Sequence, residues 1–111
     1  RPIPRALSLL LTTNFVPTGT VLARRDAVIA AGGFPSNIRY GEDLALWARL
    51  AHAHDIVCLP TVHMYRRKHD TNVTRAGSPL YRDVARVVDD IATWGADRLR
   101  DEGHSPAAFI A

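Results

Sequence analysis

The sequence predicts an α+β chain that is mostly helical, with two or three short strands. Three observations lead there. Apolar residues recur at helical spacing over 42–52 and again from Pro79 to about Glu102. Apolar, partly β-branched runs at 19–23 and 55–59, and a period-two alternation over 61–66, are strand patterns. No regular strand–helix–strand rhythm joins them, and so few strands make a poor sheet on their own.

The elements follow in chain order. Pro2 and Pro4 favour an extended start, and Ala6, Leu7, Leu10 and Leu11 then recur at i, i+1, i+4 and i+5, predicting a short amphipathic helix over 5–11. Thr12-Thr13-Asn14 ends it, and Pro17 forbids its continuation. Gly19 to Ala23 reads as a strand. Asp26 opens a short helix through Ala31, with its carboxylate beside the positive end of the helix dipole, and Gly32-Gly33 stops it. Pro35 to Gly41 is a loop of turn formers. Glu42 to His52 is a helix with Leu46, Trp47 and Leu50 on one stripe and Leu44 beside it.

Asp55–Leu59 and Thr61–Arg66 are expected as two strands divided by Pro60, which suits a strand end. In the second strand, Val62 and Met64 would share one face and His63 and Tyr65 the other. Residues 68–78 are polar and loop-like. Ser78 suits an N-cap and Pro79 the first helical position. The helix that follows carries Leu80, Val84, Val87, Val88, Ile91 and Trp94 on one face and ends at Gly103, before a polar tail.

Composition narrows the function classes. At 111 residues the chain allows one small domain, and 47% hydrophobic with 23% charged residues excludes intrinsic disorder. No apolar run approaches the ~20 residues that span a bilayer, and no basic, apolar leader opens the chain. The single cysteine, Cys58, excludes an internal disulfide and a four-cysteine zinc site. Lying between Val57 and Leu59, it is expected to be an inert buried thiol. The net charge of +3 comes from thirteen arginines and Lys68, scattered among acids such as Asp83, Asp89 and Asp90. A nucleic-acid reader concentrates its cations on one face, so no nucleic-acid partner is expected. The chain begins at Arg1 and its only methionine is Met64, as expected for a piece of a longer reading frame.

Three segments could carry chemistry. Gly41-Glu42-Asp43 places two carboxylates at a helix start, where they serve either as a helix cap or as a general base at a pocket edge. Arg66-Arg67-Lys68-His69 is either a solvated basic turn or a pyrophosphate site. Pro17-Thr18-Gly19-Thr20 is either an ordinary turn or a place where hydroxyls and close backbone approach meet a sugar. Trp47 and Trp94 fall on apolar stripes and are expected in the core. His52 and His54, two residues apart, do not share a helix face, which argues against a metal pair.

The order of the motifs adds to this. Asn14-Phe15-Val16-Pro17-Thr18-Gly19-Thr20-Val21-Leu22-Ala23-Arg24-Arg25 is followed by Ala31-Gly32-Gly33-Phe34-Pro35. Gly41-Glu42-Asp43-Leu44-Ala45-Leu46-Trp47-Ala48-Arg49-Leu50 comes next, then Tyr65-Arg66-Arg67-Lys68-His69 and Asn72-Val73-Thr74. Over residues 5–75 this resembles the C-terminal half of the catalytic domain of family 2 glycosyltransferases, of the GT-A fold. The resemblance implies that Asp43 is the catalytic base, with Glu42 its neighbour. Asp43 would take the proton of an acceptor hydroxyl as that oxygen attacks the anomeric carbon of a nucleotide-diphospho-sugar with inversion. It also implies that Arg67 and His69 lie near the donor diphosphate and its Mg or Mn ion, with His69 as a metal ligand, and that Thr18 and Gly19 line the donor-sugar side.

The family's N-terminal half and its metal-binding Asp-x-Asp are absent from these residues. The expectation is therefore a partial enzyme, inactive alone: residues 1–78 as the acceptor-side and catalytic-base part, and 79–111 as an amphipathic helix and tail. The alternative is a non-catalytic interaction or dimerisation module derived from the same family. Either way, apolar surface meant for a missing half implies a homodimer. The expected location is cytoplasmic, with the complete protein able to sit at the membrane periphery.

Overall fold

A computed structural model describes residues 1–62, 64–65 and 79–109. Five α-helices are seen there: α1 (Ala6–Thr12), α2 (Arg25–Ala30), α3 (Glu42–Ala53), α4 (Pro79–Trp94) and α5 (Ala96–Asp101), with 3₁₀ turns at Thr18–Thr20 and Pro106–Phe109. Helix α3 is central. It packs against α1 on one side and α4 on another, while α5 closes the ring by touching both α1 and α4. Helix α3 therefore buries a wide arc: Leu44, Trp47, Ala48 and Ala51 at helical spacing, with Leu46 beside them. Leu7 and Leu10 of α1, Val87, Ile91 and Ala92 of α4 and Leu99 of α5 complete the core. Full burial of side chains such as Leu7, Leu46, Ile91 and Leu99 stabilises by roughly 1.5–3 kcal/mol each.

The α+β expectation is corrected here, because no β-strand forms among the described residues. Thr18–Thr20 is a 3₁₀ turn rather than the start of a strand. Of the two strands expected over 55–66, the described residues form one isolated antiparallel bridge, Pro2 to Val57, supported by Ile3 N–H donating to the Ile56 carbonyl at 2.7 Å. His63 and Arg66 lie outside the described residues. The physical reason is the lack of a partner: β-propensity expresses fit to a half-buried pleated surface. The neighbouring segment carries Pro2 and Pro4, which have no N–H to extend a ladder. Val57, Leu59, Val62 and Tyr65 consequently stay exposed, Tyr65 at 92%.

Two further expectations change. The helix predicted to run from Pro79 to about Glu102 bends at Gly95, which leaves helical geometry at φ −97°, ψ 15°. A Cβ there would lie 3.2 Å from Leu7 Cδ2 and 2.9 Å from the Ile91 carbonyl oxygen, so the bend lets α1 approach closely. Cys58, expected to be buried, is exposed, because the strand that would have covered it does not form. Ser78, the expected N-cap of α4, lies outside the described residues.

The end of the described chain holds its beginning. Arg5 precedes α1 at φ 54° and offers no side-chain cap. The Ser8 amide, one of the donors a helix start leaves unpaired, donates instead to Glu102 Oε1 at 2.8 Å. The other oxygen of Glu102 pairs with Arg98 Nε at 3.2 Å. Both oxygens of this buried carboxylate are thus used.

Candidate functional site

Asp43 is the second residue of α3, whose start is set by Gly41 at φ 84°. Besides that left-handed backbone, a Cβ at Gly41 would lie 3.2 Å from Val87 Cγ2, so a side chain would push α4 away. This places Asp43 at the edge of the α3–α4 packing, half-buried. Its Oδ1 accepts the Leu44 N–H at 2.8 Å, one of the amides a helix start leaves unpaired, although the N-cap position itself is held by Gly41. Its Oδ2 faces away from the helix and meets two neutral donors at 3.4 Å: Asn14 Nδ2 and Thr18 Oγ1.

These donors come from the loop between α1 and α2. Pro17 and the 3₁₀ turn fold the loop back, with Thr20 N–H and Thr20 Oγ1 both donating to the Pro17 carbonyl, at 3.0 and 2.7 Å. Asn14 Oδ1 accepts the Val16 N–H at 3.3 Å, which orients its amide toward Asp43. At Gly19 a Cβ would lie only 2.8 Å from Met64 Sδ, so the missing side chain lets the 64–65 segment close over the turn. The structure thus brings Asp43, Thr18 and Gly19 into one neighbourhood. Glu42 stands beside Asp43, half-buried, and its carboxylate makes no hydrogen bond or ion pair with another described residue. Arg67 and His69 lie outside the described residues.

Two contributors were not singled out as site residues from the sequence. Asn14 is the first residue of the quoted Asn14-Phe15-Val16-Pro17-Thr18-Gly19-Thr20 stretch and supplies the second donor to Asp43. Met64 was assigned a strand face and instead packs on Gly19.

Chemically, an outward carboxylate oxygen held by weak neutral donors can accept a proton from a hydroxyl placed before it. No cation among the described residues pairs with Asp43. Among the described residues no group of three or more His, Cys, Asp or Glu could hold a metal, and His69, the metal ligand implied by the resemblance, lies outside them.

Away from this cluster, Trp94 is half-buried rather than in the core, and carries the Arg49 guanidinium 4.3 Å above its ring. His52 meets Trp94 edge-on at 5.5 Å and its Nε2 lies 3.0 Å from Asp97 Oδ1. That hydrogen bond, then one from the Arg98 backbone N–H, holds the Asp97 carboxyl below its ordinary range.

Among the described residues no helix is long and apolar enough to cross a membrane. Comparison of the chain with protein-family models, with curated proteins and with solved structures finds no match in any of the three.

Proposed function

We propose that the chain is the acceptor-side, base-carrying part of an inverting glycosyltransferase that moves a sugar from a nucleotide-diphospho-sugar to an acceptor hydroxyl. One observation carries the reading. Asp43, the base implied by the motif order, and Thr18, implied on the donor-sugar side, meet at 3.4 Å although 25 positions separate them. In the reaction Asp43 Oδ2 takes the hydroxyl proton, the freed oxygen forms the new bond to the anomeric carbon, and the bond to the diphosphate breaks with its electron pair leaving on the diphosphate. Asn14 and Thr18 orient the carboxylate without neutralising it. Arg67 and His69 would face the diphosphate. The test is the product of transfer by the protein in which this chain is joined to a donor-binding part. Proton NMR should show an anomeric configuration opposite to the donor's, and a retained configuration would contradict the reading.

A second reading has its own support. Leu22, Val57, Leu59, Val62 and Tyr65 are exposed apolar side chains outside the helices. Such a surface suits a non-catalytic interaction or dimerisation module. This reading predicts that no Asp43 substitution alters any transfer activity.

A further inference from the structure

A second concave site lies between α3 and α4, beneath the Gly32–Gly33 turn, with a volume of about 470 Å³. That size falls in the range of small-molecule sites, roughly 300–1,000 Å³. Its floor is apolar, from Ala45 of α3 and Val87 and Ile91 of α4, and its rim carries Arg49, Asp90 and Trp94. The Arg49 guanidinium sits over the Trp94 indole, a cation–π contact that restricts a long side chain while leaving its N–H donors uncommitted. Asp90 is one helical turn before Trp94, so the two side chains emerge on the same face of α4, about 5–6 Å apart at Cβ. Arg49 and Asp90 therefore bear opposite charges on one rim. Neither forms an ion pair with the other or with any other described residue.

We propose that this cleft binds a free α-amino acid with an apolar side chain. Its carboxylate meets Arg49, its ammonium meets Asp90, and its side chain lies on Ala45, Val87 and Ile91. An amino acid carries an anion, a cation and an apolar branch on one carbon, which is the set of complements this rim and floor ask for. A phosphate or simple carboxylate would face Asp90 with like charge. A neutral hydrocarbon would desolvate both charges without pairing either. A monosaccharide has no apolar branch to cover the floor. The inference goes beyond the transferase reading and does not depend on it, since no transfer reaction enters its test.

The test is calorimetric titration of the whole chain with L-leucine and L-phenylalanine, beside N-acetyl-L-leucine, which lacks the ammonium, and L-leucinamide, which lacks the carboxylate. At least one free amino acid should bind saturably below roughly 10 mM. Each capped analogue should bind at least about tenfold more weakly, as expected when one charge-assisted contact is lost. Arg49→Gln and Asp90→Asn should each weaken binding by a similar factor while the circular dichroism spectrum stays unchanged. The capped analogues decide the matter on the unaltered chain even where a variant folds poorly. Absence of saturable binding by both amino acids would overturn the proposal, as would capped analogues that bind as tightly as L-leucine.

Discussion

Thr18 Oγ1 donates to Asp43 Oδ2 at 3.4 Å, joining a 3₁₀ turn to the start of α3. The contact is longer than the 2.5–3.0 Å usual for a hydroxyl donor, and the Asn14 contact to the same oxygen matches it. The other oxygen is tied at 2.8 Å by the Leu44 N–H. One side of the carboxylate is therefore anchored to the helix and the other is steered but not saturated. Loose contacts of this kind tighten only when a substrate is bound in many catalytic sites, and a base must keep one oxygen able to accept. The contact at the helix start and the proposed general-base role of Asp43 are compatible, one on each oxygen.

Glu102 is expected to govern folding stability. Glu102→Ala leaves the Ser8 N–H buried without an acceptor and releases Arg98, a loss of about 1–3 kcal/mol. Glu102→Gln keeps an oxygen that can accept from Ser8 and should lose less. Urea denaturation of the two variants checks the order, and equal stability of Glu102→Ala and wild type would show the clasp to be idle.

The helices were legible because their apolar stripes and terminators are local. Leu46, Trp47 and Leu50, with Leu44 beside them, announce α3, and Gly32 ends α2 at φ 90°, with the Gly33 N–H returning to the Val28 carbonyl at 3.0 Å. The strands were misread because Val57, Leu59 and Val62 have strand propensity but no neighbour to pair with, and pairing is not a local property. At the bend, Gly95 lies against Leu7, 88 positions earlier, a close approach that the residues around Gly95 in the sequence do not reveal. Of the proposed site, Asp43 and Thr18 could be expected from motif order. Asn14 could not, because its part comes from how the loop folds back onto α3.

The His52–Asp97 pair sets a pH dependence. The Asp97 carboxyl titrates below its ordinary value in the folded chain, chiefly through the His52 hydrogen bond. A depressed carboxylate contributes stability that is present above the unfolded value, about 3.9, and fades as pH falls through the lower folded value. Thermal melts of wild type and Asp97→Asn should therefore differ at pH 6, with wild type the more stable, and converge toward pH 3. The gap should be small, since Asp97 is exposed. A gap that widens on acidification would contradict the assignment.

The uncovered apolar segments predict self-association. Leu22 is 96% exposed, and Val57, Leu59, Val62 and Tyr65 add to the apolar surface. Light scattering coupled to size exclusion should give about twice 12.2 kDa at micromolar concentration, and Leu59→Asp with Val62→Asp should shift it toward the monomer. A clean monomer for the unaltered chain would remove the need for a partner face.

The central claim is that Asp43 accepts the proton of an acceptor hydroxyl, and the most direct measurement is turnover by Asp43→Asn. The assay uses a protein in which this chain is joined to a donor-binding part. Asparagine keeps the size of the side chain and an oxygen for the Leu44 N–H, so that contact at the start of α3 is kept while the base is lost. The account predicts that kcat falls by about 10²–10⁴-fold while the dissociation constant of the nucleotide sugar is unchanged, since a base acts mainly in the transition state. Wild-type kcat in Asp43→Asn would contradict it and leave Asp43 as a helix cap alone.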